Sequence, residues 1–232
     1  MDYKLSVVIP SYREEGYIEE TLKALRNQDY KNVEVIVVDS SPDEKTRDVA
    51  KKYADKTLHF PERGVSKARN LGAQNSSGDI IVFIDADTVI KKDALAKIAR
   101  AFAEDEKMVC CCAYVEVESS LLNRILFMLV SESVWLMAKL GMPLFYGFCV
   151  AYRKDTFDKV CFNEKLVTCE DIDVSKRAAR LGKCKLLRDV RVLTSARRVE
   201  KGGTLRIVVF HMQNLIRYTL SSKACEDYPV FR

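Results

Sequence analysis

Two aspartates one residue apart, Asp85-Ala86-Asp87, close the apolar run Asp79-Ile80-Ile81-Val82-Phe83-Ile84. Side chains at i and i+2 on extended backbone point the same way, so the two carboxylates can share one hard cation. Mg²⁺ or Mn²⁺ suits such a pair, because these ions take oxygen ligands from one or two carboxylates and complete their shell with water and substrate phosphates. The pattern alone says little, since Asp171-Ile172-Asp173 repeats it. Position separates the copies: ligands of open α/β sheets bind beyond the carboxyl ends of the strands, where Asp85 and Asp87 fall. The competing role for them is capping a turn before the helical stretch Lys91 to Phe102. Asp39 ends a second strand-like run, Val33 to Val38, and so opens onto the same edge. A carboxylate there accepts hydrogen bonds from a ribose or a base N–H, or helps Ser41 cap the next helix.

Other reactive side chains form weaker patterns. Arg197 and Arg198 are adjacent and suit phosphate recognition, with a solvated basic turn as the alternative. His59 is expected in solvent at a strand end, and His211 lies in a helical stretch where a structural role outweighs metal ligation. No C-x-x-C pair exists among the eight cysteines. Cys110, Cys111 and Cys112 sit in a strand-like run, where successive side chains point to opposite faces and cannot converge on one metal, so reduced core thiols are expected.

The elements that must position these groups are legible as a pattern. Apolar, β-branched runs at Leu5 to Ile9, Val33 to Val38 and Ile80 to Ile84 alternate with amphipathic stretches, as in a parallel sheet covered by helices. Ile18, Leu22 and Leu25 recur at helical spacing, as do Leu95, Ile98, Ala99 and Phe102. Ser41-Pro42-Asp43-Glu44 carries the residues of a helix start with a capping box. Further strands are expected at Met108 to Val117, Phe148 to Tyr152 and Lys185 to Leu187, with helices at Glu170 to Leu181 and Thr204 to Leu220. The fold class is therefore α/β, a mostly parallel central sheet flanked by helices.

An apolar share of 48% over 232 residues supports one sizeable core, and no linker or repeat divides the chain, so a single domain is expected over 1–232. The net charge of +5 comes from both signs spread along the chain, which argues against a nucleic-acid partner. Without a signal-peptide pattern, a cytoplasmic location is expected. Leu121 to Leu140 is apolar, but Arg124, Glu132 and Lys139 interrupt it. An amphipathic helix is expected there, packed on the sheet, in a homodimer contact or seated on the inner face of the membrane.

Four motifs in order make the chain resemble the family 2 inverting glycosyltransferases, which have the nucleotide-sugar-binding fold called GT-A. Val7-Val8-Ile9-Pro10-Ser11-Tyr12-Arg13-Glu14 is similar to the opening strand and loop, with Arg13 where asparagine is usual. Val37-Val38-Asp39-Ser40-Ser41-Pro42-Asp43 is similar to the second strand and its turn. Gly64-Val65-Ser66-Lys67-Ala68-Arg69-Asn70-Leu71-Gly72 matches the G-x-x-x-A-R-N-x-G segment, and Asp85-Ala86-Asp87 followed later by Glu170-Asp171 matches the metal motif and the acidic pair.

The resemblance implies a UDP- or GDP-sugar donor, with Pro10, Tyr12, Glu14 and Asp39 around the nucleoside. It implies Lys67 and Arg69 near the base or phosphates, Asp85 and Ala86 at the donor, and Asp85 with Asp87 at a Mg²⁺ or Mn²⁺ ion. Asp171 would deprotonate the acceptor, with Glu170, Arg197 and Arg198 on the acceptor or phosphate side. The donor half would span 1–104 and the acceptor half 105–232. The resemblance implies a sugar, a glycan or a polyprenyl phosphate as acceptor, without selecting among them. The Q-x-x-R-W motif of processive synthases is missing, which points to transfer of one sugar. A dinucleotide oxidoreductase is disfavoured because Pro10-Ser11-Tyr12 stands where a G-x-G-x-x-G would begin. A non-catalytic nucleotide-sugar-binding protein of the same fold remains the alternative.

Overall fold

The computed structural model describes residues 2–221. Along the chain lie β1 (Leu5–Ser11), α1 (Ile18–Arg26), β2 (Val33–Asp39), α2 (Lys45–Ala50), β3 (Lys56–His59), α3 (Val65–Gln74), β4 (Ile80–Ile84) and β5 (Thr88–Ile90). They are followed by α4 (Ala94–Glu104), β6 (Met108–Val117), α5 (Leu121–Lys139), β7 (Cys149–Arg153), α6 (Lys154–Val160), α7 (Glu170–Ala178), β8 (Lys183–Thr194), α8 (Arg197–Gly202) and α9 (Thr204–Ser221).

The strands form one sheet in the order β3-β2-β1-β4-β7-β6-β8-β5. Pairing of β1 with β2 and β4, of β2 with β3 and of β6 with β8 is parallel, whereas β7 is antiparallel to both its neighbours and β5 to β8. Only β5 and β7 thus run against the rest, and the sheet is mixed with a parallel majority. Both faces are covered, which explains the continuous apolar runs of β1, β2 and β4. Val7 and Ile9 pack with α1 and α4 residues such as Leu22 and Phe102, while Val8 packs with Ala68, Phe83 and Tyr152 on the other face. The cysteine run follows this alternation, with Cys111 in the first cluster and Cys110 and Cys112 in the second. All three are buried, and burial pushes their thiols up.

Local chemistry explains three features at the carboxyl edge. Arg13 takes the left-handed conformation, φ 56, a region asparagine enters more easily than arginine. Ser41 does not cap a helix, because α2 begins only at Lys45 with no side-chain cap bond. Its hydroxyl instead donates to Asp39 Oδ1 at 2.7 Å and accepts the Arg13 N–H at 2.7 Å, tying the end of β2 to the turn after β1. Gly72 brings α3 onto β1 and β2: a Cβ there would collide with Val8 Cγ1 and lie 3.2 Å from Val38 Cγ2.

Candidate active site

A cleft of about 240 Å³ opens at the carboxyl ends of β1 and β4, with Pro10, Tyr12, Glu14, Arg63, Asp85 and Asp87 in its wall. Ala86 also lines it, fixed by Thr21 Oγ1 donating to its carbonyl at 2.9 Å. A larger trough of about 580 Å³ lies at the opposite edge of the sheet among ion-paired residues such as Asp105, Lys183 and Lys185. Its carboxylates are paired with Arg100, Lys183 and Lys185, whereas the smaller cleft gathers the motif residues.

The G-x-x-x-A-R-N-x-G segment builds much of that cleft. Ala68 lines it, and Arg69, only 2% exposed, reaches from α3 to three carboxylates. Its Nη2 donates to Asp85 Oδ1 at 2.9 Å, and its Nη1 donates to Asp171 Oδ1 at 2.7 Å and Glu170 Oε1 at 3.3 Å. Asn70 clamps the loop before α7: its Nδ2 donates to the Phe162 carbonyl at 3.0 Å, and its Oδ1 accepts the Phe162 N–H at 2.9 Å. Just ahead of α7, Cys169 takes a left-handed φ of 62, a strained conformation of the kind that collects at functional sites.

Three carboxylates on one guanidinium leave excess negative charge in a buried place. Burial first, and Asp171 second, push Glu170 up to about 8 against the pull of Arg69. Burial also raises Asp171, again opposed by Arg69. Both carboxyls are thus pushed toward the neutral form, and the pair is set to share a proton beside Arg69.

Arg197 approaches from α8. Its Nη2 donates to Glu14 Oε1 at 2.6 Å and lies 3.0 Å from Asp87 Oδ2, with the guanidinium 4.2 Å from the Tyr17 ring centroid. The other carboxylate oxygen of Glu14, Oε2, is buried without a hydrogen-bond partner.

Pro10, Tyr12, Glu14, Asp85, Ala86 and Asp87 thus meet at the cleft, and Arg69, Glu170 and Asp171 join them through Asp85. Asp39 lies behind the wall, fully buried, accepting from Ser11 Oγ at 2.9 Å and Ser41 Oγ at 2.7 Å and paired with Arg47 at 2.9 Å. Lys67 is turned away to Glu62. The Arg198 side chain lies outside the described residues. His59 is exposed, with Nδ1 2.9 Å from Arg47 Nη1, and His211 is exposed on α9.

Sequence reasoning passes over two residues. Arg63 holds its guanidinium 4.4 Å from the Tyr12 ring centroid at the cleft mouth; its place just before Gly64 was the available signal. Gly147 carries no sequence signal, yet a Cβ there would lie 2.5 Å from both Arg69 Nη2 and Asp171 Oδ2. Gly147→Ala should keep the circular-dichroism spectrum and lower turnover by about 100-fold, the order expected when reacting groups shift by an ångström. Unchanged turnover would remove the cluster from the chemistry.

Residues 6–161 match the profile described as glycosyl transferase family 2. The chain belongs to that family. Glycosyltransferase GlyA of Streptococcus pneumoniae is 29% identical over 109 residues, 45% of this chain and 16% of GlyA. The poly(ribitol-phosphate) beta-N-acetylglucosaminyltransferase TarS of Staphylococcus aureus is 34% identical over 110 residues, 44% of this chain and 19% of TarS. Among solved structures, the mannosyltransferase PcManGT of Pyrobaculum calidifontis, in complex with GDP-Man and Mn²⁺, superposes with a TM-score of 0.71 at 25% identity, over 96% of this chain and 66% of that one. The stretches matched by sequence are less than a fifth of the length of GlyA and TarS. The superposition shows that PcManGT shares this α/β architecture, a mixed sheet flanked by helices.

Proposed function

We propose that this family 2 chain transfers one sugar, with inversion, from a UDP- or GDP-sugar to a hydroxyl or lipid-phosphate acceptor, with a divalent cation at the donor. The observation that carries the reading is the single guanidinium of Arg69, which joins the donor-cleft carboxylate Asp85 to Asp171 and Glu170. The complex of PcManGT with GDP-Man and Mn²⁺ supports both the donor class and the ion.

The residues suit a hard cation. Asp85 and Asp87 both line the cleft, all their donors are oxygens, and no third His, Cys, Asp or Glu completes a protein-only cage among the described residues. That composition leaves the remaining coordination positions to donor phosphates and water. Bound there, the ion supplies Lewis-acid stabilisation of the charge left on the diphosphate. Tyr12 and Arg63 form a platform for the base, and the partnerless Glu14 Oε2 can accept from a ribose hydroxyl. Asp39 acts behind them as a positioning residue, fixing Ser11 and Ser41.

On the acceptor side Asp171 takes the proton of the attacking hydroxyl, whose oxygen bonds to the anomeric carbon from the face opposite the leaving group. The bond from that carbon to the diphosphate oxygen breaks, and the nucleoside diphosphate leaves with the electron pair. A proton shared with Glu170 limits the negative charge beside Asp171, and Arg69 orients the base. Arg197 must exchange its pairing with Asp87 for other partners as the donor diphosphate arrives, which suits an arginine near phosphate. Of the described cysteines, Cys110, Cys111, Cys112 and Cys149 are buried in the sheet, where burial pushes their thiols up.

Calorimetric titration with UDP and with GDP, each with and without Mn²⁺, tests this reading. One nucleotide should bind more tightly with Mn²⁺; no binding of either would contradict it. A pH experiment tests the shared proton. The raised pKa of Glu170 means its contribution to stability is full below the ordinary carboxylate value of about 4.3 and is lost as the pH climbs through about 8. Glu170→Gln should therefore flatten the decline of melting temperature over that range and keep near-neutral turnover within a few-fold. Parallel melting curves for parent and variant would contradict the assignment.

A further inference from the structure

Helix α5 is apolar on its outer side as well as its inner one. The side it turns to the sheet carries Asn123, Ser131 and Val134, with Phe127, Trp135 and Ala138 partly buried against the core, and Ser131 Oγ is bonded to both the N–H and the carbonyl of Val115. The outer face carries Leu122, Ile125, Leu129, Leu136 and Leu140 at helical spacing, each 42% to 69% exposed. Helix α9 likewise exposes an apolar stripe, burying Ile207, Asn214 and Tyr218 while Val209, Met212, Ile216 and Leu220 stand 44% to 83% exposed. A helix that ends at water shows the opposite arrangement, so these stripes are built to meet something apolar.

The two stripes belong to one flank. Thr204 Oγ1, at the start of α9, donates to Asn123 Oδ1 near the start of α5 at 2.8 Å. At the far ends, Tyr218 OH donates to Asp173 Oδ1 at 2.8 Å, and Ser175 Oγ donates to the Pro143 carbonyl at 3.1 Å. Both helices therefore run past α7, whose first turn carries Glu170 and Asp171.

Charge identifies the occupant. Of the 38 Lys and Arg and 33 Asp and Glu in the chain, seven basic and two acidic residues lie on α5, α8 and α9, so the rest is balanced and these helices hold the whole net charge of +5. One of the seven, Arg197, faces the cleft. An apolar stripe among basic side chains complements an anionic lipid surface, to which each Lys or Arg and each buried leucine adds attraction. The same surface on a second copy would bring like charges together. Although α5 is long and apolar enough to cross a bilayer, its Ser131 edge is fixed along β6, which suits lying on the surface rather than spanning.

We infer that the exposed faces of α5 and α9 dock this protein on an anionic membrane surface, with the α7 acidic pair on the docking flank. The inference does not rest on the sugar-transfer reading. Flotation of the full chain with phosphatidylcholine vesicles, with and without phosphatidylglycerol, tests it. The protein should float only with the anionic vesicles at low salt and be released at high salt. The exposed pair Leu129→Gln and Ile216→Gln should reduce the floated fraction by about tenfold or more at an unchanged melting temperature. Arg124→Gln with Lys201→Gln, which leaves the apolar stripes intact, should weaken flotation as well. No flotation at low salt, flotation indifferent to both pairs of changes, or a sedimenting dimer that the Leu129→Gln and Ile216→Gln pair dissolves would overturn the inference, the last in favour of a second copy as the occupant.

Discussion

Asp171→Asn should lower turnover by about 10²- to 10⁴-fold with the affinity for nucleoside diphosphate nearly unchanged. Asparagine keeps the shape of the side chain and removes its basicity, and Asp171 is not in the wall of the donor cleft. Arg69 retains Asp85 as its counter-charge and Glu170 as a hydrogen-bond acceptor, so the buried guanidinium does not become unpaired. Steady-state turnover and calorimetric nucleotide affinity, measured side by side, check both halves. A large loss of nucleotide binding with little change in turnover would instead assign Asp171 to the donor. The size of the effect also reads out the acceptor: a lipid phosphate arrives already ionised, so with such an acceptor the loss should shrink to a few-fold.

Asp87→Ala should cost several kcal/mol of barrier while leaving the protein folded. Asp87 lines the cleft and lies 3.0 Å from the guanidinium of Arg197, so its carboxylate sets the charge balance where the diphosphate is expected. Removing it deletes one of two oxygen donors and leaves Arg197 with Glu14 alone of that pair. Mn²⁺ should then no longer strengthen nucleotide binding, a readout independent of turnover. Parent protein in excess chelator should behave like the variant. Normal transfer by either one would remove the ion from the account.

Much of this arrangement is legible before any coordinates. Strands β1, β2, β4 and β6 are visible as apolar runs because both faces of the sheet are covered, and the carboxyl edge follows from them, bringing Asp85 and Asp87 to the cleft. Three-residue β5 and seven-residue α6 are too short to leave a periodic signal. Strand β8 runs from Lys183 to Thr194, well beyond the short apolar core at Lys185 to Leu187, because Arg188, Asp189 and Arg191 interrupt the pattern at a bulge against β6. The reversed direction of β7 has no local signature at all. The Ser41-Pro42-Asp43-Glu44 signal looked like a helix start, but Asp39 and Arg13 claim the Ser41 hydroxyl first.

The least legible features are long-range. Arg69 reaches Asp171 across 102 positions, and Arg197 reaches Glu14 across 183. Residue type marks each as charged, but only the fold determines which opposite charge it meets. Gly147 matters solely because of what surrounds it, and the exposed apolar stripes of α5 and α9 appear only once the packed side is known. An apolar helix in sequence does not say which of its faces is inward.

The most direct measurement incubates the pure protein with Mn²⁺ and a panel of UDP- and GDP-sugars, with soluble and lipid-phosphate acceptors, and follows nucleoside diphosphate release. At least one donor should give release that requires the ion, is accelerated by an acceptor, is lost in Asp87→Ala and, with a hydroxyl acceptor, falls by about 10²- to 10⁴-fold in Asp171→Asn. Nucleotide-sugar binding with no release under any combination would contradict catalysis and leave a binding protein of the same fold.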